Sequence, residues 1–139
     1  MGDLAMSEDE RQAFLADLHV GVLAVERSDG PPLAVPVWYR YAPGGDVEIS
    51  TDESSIKAGL LRAAGRASMV AQRESLPYAY VSVEGPVTFA EADHATRIDI
   101  ATRYMGEELG TAYVEGTSGD SLLIRLTPER WFTVDYAKL

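Results

Sequence analysis

Two hydrophobic periods alternate along this chain, one close to two residues and one close to 3.6, and their order outlines a fold. Ser7 with Glu10 three positions later has the form of a capping box, and Phe14, Leu15 and Leu18 follow at helical spacing. This predicts an N-terminal helix within residues 1–18 that packs one face on the body. Residues 20–25, Val-Gly-Val-Leu-Ala-Val, read as a strand closed by the turn residues Ser28-Asp29-Gly30-Pro31-Pro32. A second strand over 33–41 sets Leu33, Val35, Val37, Tyr39 and Tyr41 against Ala34, Pro36, Trp38 and Arg40 on the opposite face. Pro36 has no N–H to give a ladder, so this strand belongs at an edge or breaks locally there. Pro43-Gly44-Gly45-Asp46 then turns the chain into a third strand over 47–51.

After Thr51 the period lengthens. Ser54 or Ser55 can cap a helix with apolar positions Ile56, Leu60, Leu61 and Ala64, ended by Gly65. Strand pattern returns over 67–72 and again over 78–89, where Tyr78, Tyr80 and Ser82 alternate with Ala79, Val81 and Val83. Gly85-Pro86 inside that long run predicts a bulge or corner. Asp93 caps a second, long helix whose stripe is Ile98, Ala101, Met105 and Leu109. A polar loop over 116–120 leads to two last strands, 122–126 and 131–136. About six or seven strands with helices inserted between them favour a mostly β, antiparallel barrel over a βαβ sheet.

Composition narrows the class. The 139 residues suit a single domain over 1–139, and 46% hydrophobic with 24% charged residues describes an ordinary globular chain. Twelve Lys and Arg against 22 Asp and Glu give a net charge of −10, which argues against nucleic acid as a partner, since phosphate binding needs a basic surface. The absence of cysteine excludes disulfides, cysteine-built metal sites and a cysteine nucleophile. No apolar run nears the ~20 residues of a membrane span. Asp3, Glu8, Asp9 and Glu10 stand where a secretory leader would be basic and then apolar, so a cytoplasmic address is expected.

Few catalytic constellations survive. The histidines are His19 and His94 alone, and Glu91 with His94 is a single pair where a metal needs three or four ligands, so no metal site is expected. A phosphate-cradling loop and a Gly-x-Ser-x-Gly elbow are both absent. The segment 49–57 is more informative. It puts Ser50 and Thr51 at a strand end, Ser54 and Ser55 at a helix start and Lys57 in the first turn. Unpaired N–H groups and the positive end of the helix suit a phosphate there, although a capped helix with a solvated lysine has the same spacing.

Read as a whole, the chain carries an ordered set of motifs: His19-Val20-Gly21-Val22-Leu23-Ala24-Val25, Pro36-Val37-Trp38-Tyr39, Ser50-Thr51 with Lys57 and Leu61, Gly65-Arg66-Ala67-Ser68, the run from Tyr80 through Gly85-Pro86-Val87, and Pro128-Glu129-Arg130-Trp131. In this order it resembles the pyridoxamine 5′-phosphate oxidase-like family, whose fold is the flavin-binding split β-barrel. The resemblance implies a homodimer with cofactor sites at the subunit interface, using coenzyme F420 or, alternatively, FMN to reduce an unsaturated small molecule by hydride transfer. A non-catalytic carrier of a planar ligand is the second reading. By the same resemblance the cofactor phosphate lies near Ser50, Thr51, Ser55 and Lys57 and the ring near Val35, Pro36 and Val37, with Trp131 and Tyr136 of the second subunit closing the pocket. Trp38, Arg40 and Tyr78 are candidates for the substrate wall, and no acid–base residue is implied. One departure stands out: Ile56, Gly59 and Leu60 occupy positions where relatives carry basic or Arg-Asn residues around the lysine. Arg62, Arg66, Arg73 or an arginine of the second subunit are the candidates to replace them.

Overall fold

The structure, a computed structural model, describes residues 3–117 and 121–139. Its elements are α1 (Glu8–Ala16), β1 (Gly21–Val25), β2 (Leu33–Val37), β3 (Val47–Asp52), α2 (Ile56–Ala64), β4 (Arg66–Arg73), β5 (Ala79–Glu91), α3 (His94–Met105), α4 (Glu107–Glu115), β6 (Ser121–Leu126) and β7 (Arg130–Asp135). The strands pair antiparallel in the order β2-β1-β4-β5-β6-β3, and β7 joins β5. This is the mostly β split barrel that the motif order implies, with helices inserted.

β5 organises the barrel because it serves two sheets in turn. Its first part pairs β4 on one side and β7 on the other, and from Val87 onward it pairs β6. The change of partner falls at Gly85-Pro86, the expected corner. Gly85 is required there by close approach: a Cβ would lie 1.9 Å from the Thr127 carbonyl oxygen. β2 and β3 are the two ends of the strand order, and the described residues join them only through the bridge between Arg40 and Glu48. Pro36 therefore sits on an edge strand, as its missing N–H demands.

The barrel interior is filled by inward residues such as Leu23, Val25, Tyr39, Ile49, Met69, Val81, Val83 and Ile124. α2 plugs one opening with Ala58 and Leu61, and α1 contributes Phe14 and Leu15. A second apolar layer lies outside the barrel, where Ile100 and Ala101 of α3 and Val114 of α4 are buried together with Leu123 of β6.

Several boundaries differ from the sequence expectation. α1 stops at Ala16, because the Asp17 backbone turns extended, and Leu18 lies beyond the helix at 57% exposure. β2 stops at Val37 and not at Tyr41, since no strand continues alongside it past the split. Ser55, not Ser54, is the cap of α2, and Ile56 is 76% exposed at its outer start. The single long helix predicted to run to Leu109 is two helices. Gly106 has φ +83, a conformation outside the helix, and so turns α4 away from α3 and leaves Leu109 exposed. Gly116 and Thr117 of the expected polar loop lie at the end of α4, and 118–120 fall outside the described residues.

Candidate functional site

The split between β2 and β3 gathers most of the sequence-predicted positions. At its closed end Arg40 and Glu48 exchange two backbone hydrogen bonds of 3.0 and 2.9 Å. Carried outward, that register brings Trp38 opposite Ser50 and Pro36 opposite Asp52, but by then the strands have parted. A cavity of about 300 Å³ lies there. Trp38, Ser50 and Thr51 line it from the strands, and Arg97, Tyr113 and Thr117 from α3 and α4. The Trp38 ring is stacked on Tyr104 with centroids 5.0 Å apart and planes within 6°, and Tyr113 is tilted against it at 6.3 Å. The Arg97 guanidinium donates to the Thr117 hydroxyl at 2.6 Å. This volume is at the lower end for small-ligand sites, ~300–1,000 Å³.

Below the cavity β3 hands over to α2. Ser55 accepts from the Ala58 N–H at 3.2 Å, and the Thr51 hydroxyl donates to Ser55 at 3.3 Å. The N–H groups of Ile56 and Lys57 have no helical partner, because the first turn of any helix lacks them. Lys57 is half-buried with no carboxylate within 4.0 Å among the described residues, and Gly59 faces open space. Asp52 is held below its ordinary range by the N–H and then the hydroxyl of Ser54, which keeps a negative charge beside the site. This donor set fits one phosphate group held by a single ammonium and backbone N–H groups.

The arginines expected to replace the missing cations are engaged elsewhere. Arg62 pairs with Glu53 at 3.5 Å and lies over the Phe89 ring, Arg66 pairs with Glu26 at 2.6 Å, and Arg73 pairs with Asp135 at 3.7 Å and bonds the Pro77 carbonyl. Arg40 is likewise neutralised, by Glu48 at 2.9 Å and Asp99 at 2.8 Å, so it is a buttress of the split and not a free anion receptor. Strand alternation places Val35 and Val37 toward the interior and Pro36 outward. It also turns Trp131 inward, where its ring packs near Tyr41 beneath the Arg11 guanidinium, on the sheet face opposite Phe132. Tyr78 is exposed at the far end of β5, on the opposite side of the sheet order from the split, and Tyr136 follows β7, donating its N–H to the Tyr78 carbonyl.

Sequence reading missed Arg97, Tyr104, Tyr113 and Thr117. Their periodicity was absorbed into one long amphipathic helix, and only the turn at Gly106 brings α4 back over the split. A larger open groove of about 700 Å³ lies at the start of β4, but both of its arginines are paired, Arg66 with Glu26 and Arg130 with Glu84.

The motif pattern and this topology agree with a family comparison that matches residues 7–135, described as pyridoxamine 5′-phosphate oxidase. The chain belongs to that family. Among solved structures, a conserved hypothetical protein from Mycobacterium tuberculosis shares 24% identity over 99% of this chain and 90% of its own, with a TM-score of 0.79. An F420 reductase shares 21% over 87% and 94%, with a TM-score of 0.71. An FAD-binding protein from Mesorhizobium loti shares 20% over 93% of each chain, with a TM-score of 0.62. At these identities the likeness is one of fold alone. No curated protein matches the chain.

Proposed function

We propose that this member of the pyridoxamine 5′-phosphate oxidase family is a homodimeric oxidoreductase that uses coenzyme F420 to reduce an unsaturated small molecule. The observation that carries this reading is the cavity at the split, lined by Trp38, Ser50 and Thr51 of the strand ends that lead toward α2. Val35, Pro36 and Val37 would border the ring, and Thr51, the Ile56 and Lys57 N–H groups and the Lys57 ammonium would hold the phosphate, with Ser55 fixing the turn that presents them. Bound there, the coenzyme supplies two-electron hydride chemistry. The chain's own residues need only orient the reactants and exclude water, and the aromatic wall of Trp38 and Tyr113 suits a planar molecule.

At the phosphate alone, charge favours F420 over FMN. The phosphate of F420 is a diester with one negative charge, whereas the monoester of FMN approaches two. One lysine faced by Asp52, with Arg62, Arg66 and Arg73 already paired, balances the first better than the second. At ~4 Å and an effective dielectric near 20 a surplus charge is worth about 4 kcal/mol before desolvation.

The proposed dimer uses the outer face of the sheet. Pro36, Val22, Val70, Ser82 and Phe132 form one cross-strand row over five strands, and Tyr80 and Val134 continue it. Phe132 is 51% exposed on this face, so it and Tyr80, not the inward Trp131, are the aromatics available to a partner subunit.

Fluorescence titration of the purified protein with F420 and with FMN tests the assignment. F420 should bind more tightly, its reduced form should be oxidised by an enone or quinone, and Lys57→Ala should weaken it by about tenfold, the worth of a charge-assisted contact of ~1.5 kcal/mol. Failure of both coenzymes to bind overturns the redox reading, and binding without turnover of any acceptor selects the carrier.

A further inference from the structure

The β1–β2 ladder ends at Gly21 and Val37, and beyond it its register sets His19 opposite Tyr39 with no direct backbone bond between them among the described residues. Tyr39 lies two residues past Val37, the last β2 residue of that ladder, and one before Arg40, whose N–H and carbonyl are taken by Glu48 of β3, so the Tyr39 backbone groups face the β1 side; Tyr39 is fully buried. A buried N–H or carbonyl without a partner is costly, so something must take the place of the missing ladder bonds between Tyr39 and His19. That group is one phenol. The Tyr39 N–H donates to the Tyr104 hydroxyl at 3.0 Å, and the hydroxyl's single proton faces the His19 carbonyl at 2.7 Å and the Tyr39 carbonyl at 3.1 Å. The same side chain stacks its ring on Trp38. A second phenol supports the arrangement from inside, since the Tyr39 hydroxyl donates to the Leu15 carbonyl at 2.7 Å.

We propose that Tyr104 is the positioning residue of the split. Its hydroxyl bridges Tyr39 and His19 where the β1–β2 ladder ends at the root of the split, and its ring fixes Trp38 as the wall of the cavity. The effect on ligand affinity rests on the coenzyme reading above, whereas the effect on the backbone does not. A general structural role would loosen the whole barrel; a positioning role loosens the split alone.

Amide hydrogen exchange separates the two. In Tyr104→Phe, which keeps the ring and deletes the hydroxyl, exchange at Tyr39 should accelerate by tenfold or more while Val81 and Val83 in the barrel keep their rates. In Tyr104→Leu the Trp38 indole N–H resonance should also move, because the stacked ring is gone, and F420 affinity should fall at least fivefold. Equal acceleration at Tyr39 and Val81, an unchanged Tyr39, or a loosened Tyr39 with unchanged F420 affinity overturns the proposal. If the unaltered protein binds neither coenzyme, the coenzyme reading falls, and exchange at Tyr39 with the Trp38 resonance still decides the role of Tyr104.

Discussion

Glu10 ties the two ends of the chain together. Its Oε1 accepts from the Ser7 N–H and from the Lys138 ammonium, each at 2.8 Å. These bonds, that of Lys138 foremost, lower its pKa from 4.5 to about 2. A carboxyl with a depressed folded pKa binds fewer protons in the folded state, so its contribution is complete above the ordinary carboxylate range and is lost as pH falls toward the folded value. Both partners are exposed, so the contribution is modest and screened by salt. Thermal melts at low ionic strength should therefore show Glu10→Gln less stable than the unaltered protein at pH 7, with the difference narrowing as pH approaches about 3. A difference independent of pH would assign the effect to the capping box geometry alone. The Ser7 half of this arrangement is legible in the sequence because it lies three residues away, while the Lys138 half spans 128 residues and is set by tertiary placement. Lys57 divides in the same way: its place in the first turn follows from the local pattern, but the engagement of Arg62, Arg66 and Arg73 by Glu53, Glu26 and Asp135 does not.

Among the elements, β5 shows how a single position can carry a change of sheet. The chain after β6 returns against Gly85, with the Thr127 N–H bonded to the Pro86 carbonyl at 3.0 Å and the Glu129 N–H to the Glu84 carbonyl at 2.9 Å. Since the nearest obstacle to a Cβ at Gly85 is a backbone carbonyl, no side-chain rotation relieves it. Gly85→Ala should destabilise the fold by more than about 3 kcal/mol in urea unfolding, or prevent folding; a loss under about 1 kcal/mol would mean that the corner shifts freely. This corner was readable because Gly-Pro interrupts an otherwise continuous strand pattern. The break between α3 and α4 was not. A glycine within a helical stripe costs only ~1 kcal/mol, so periodicity runs through it, whereas here Gly106 takes a φ of +83 and ends α3. β2 was drawn too long for a related reason: burial continues to alternate as far as Tyr41, yet its partners after Val37 are a phenol and one bridge, not a strand.

At the scale of the whole molecule the unresolved tension is an apolar sheet face turned to solvent on a chain of net charge −10. The row from Pro36 to Phe132 crosses five strands, and only its margin carries ion pairs, such as Glu84 with Arg130. Contiguous apolar surface of this kind marks an interface. A second copy is the occupant that the family assignment favours, and twofold pairing needs only self-complementarity. Phe132→Glu, which introduces a charge where Phe132 now lies open, should convert the proposed dimer to a single 15.1 kDa chain in sedimentation equilibrium without loss of the far-ultraviolet β signal. Pro36 belongs to both the row and the lip of the split, so dissociation should also weaken F420 binding and make it depend on protein concentration. An unaltered protein that sediments as a monomer at micromolar concentration removes the partner wall from the site. A Phe132→Glu monomer that binds F420 with undiminished affinity would instead show that Trp38, Thr51 and Lys57 of one chain suffice.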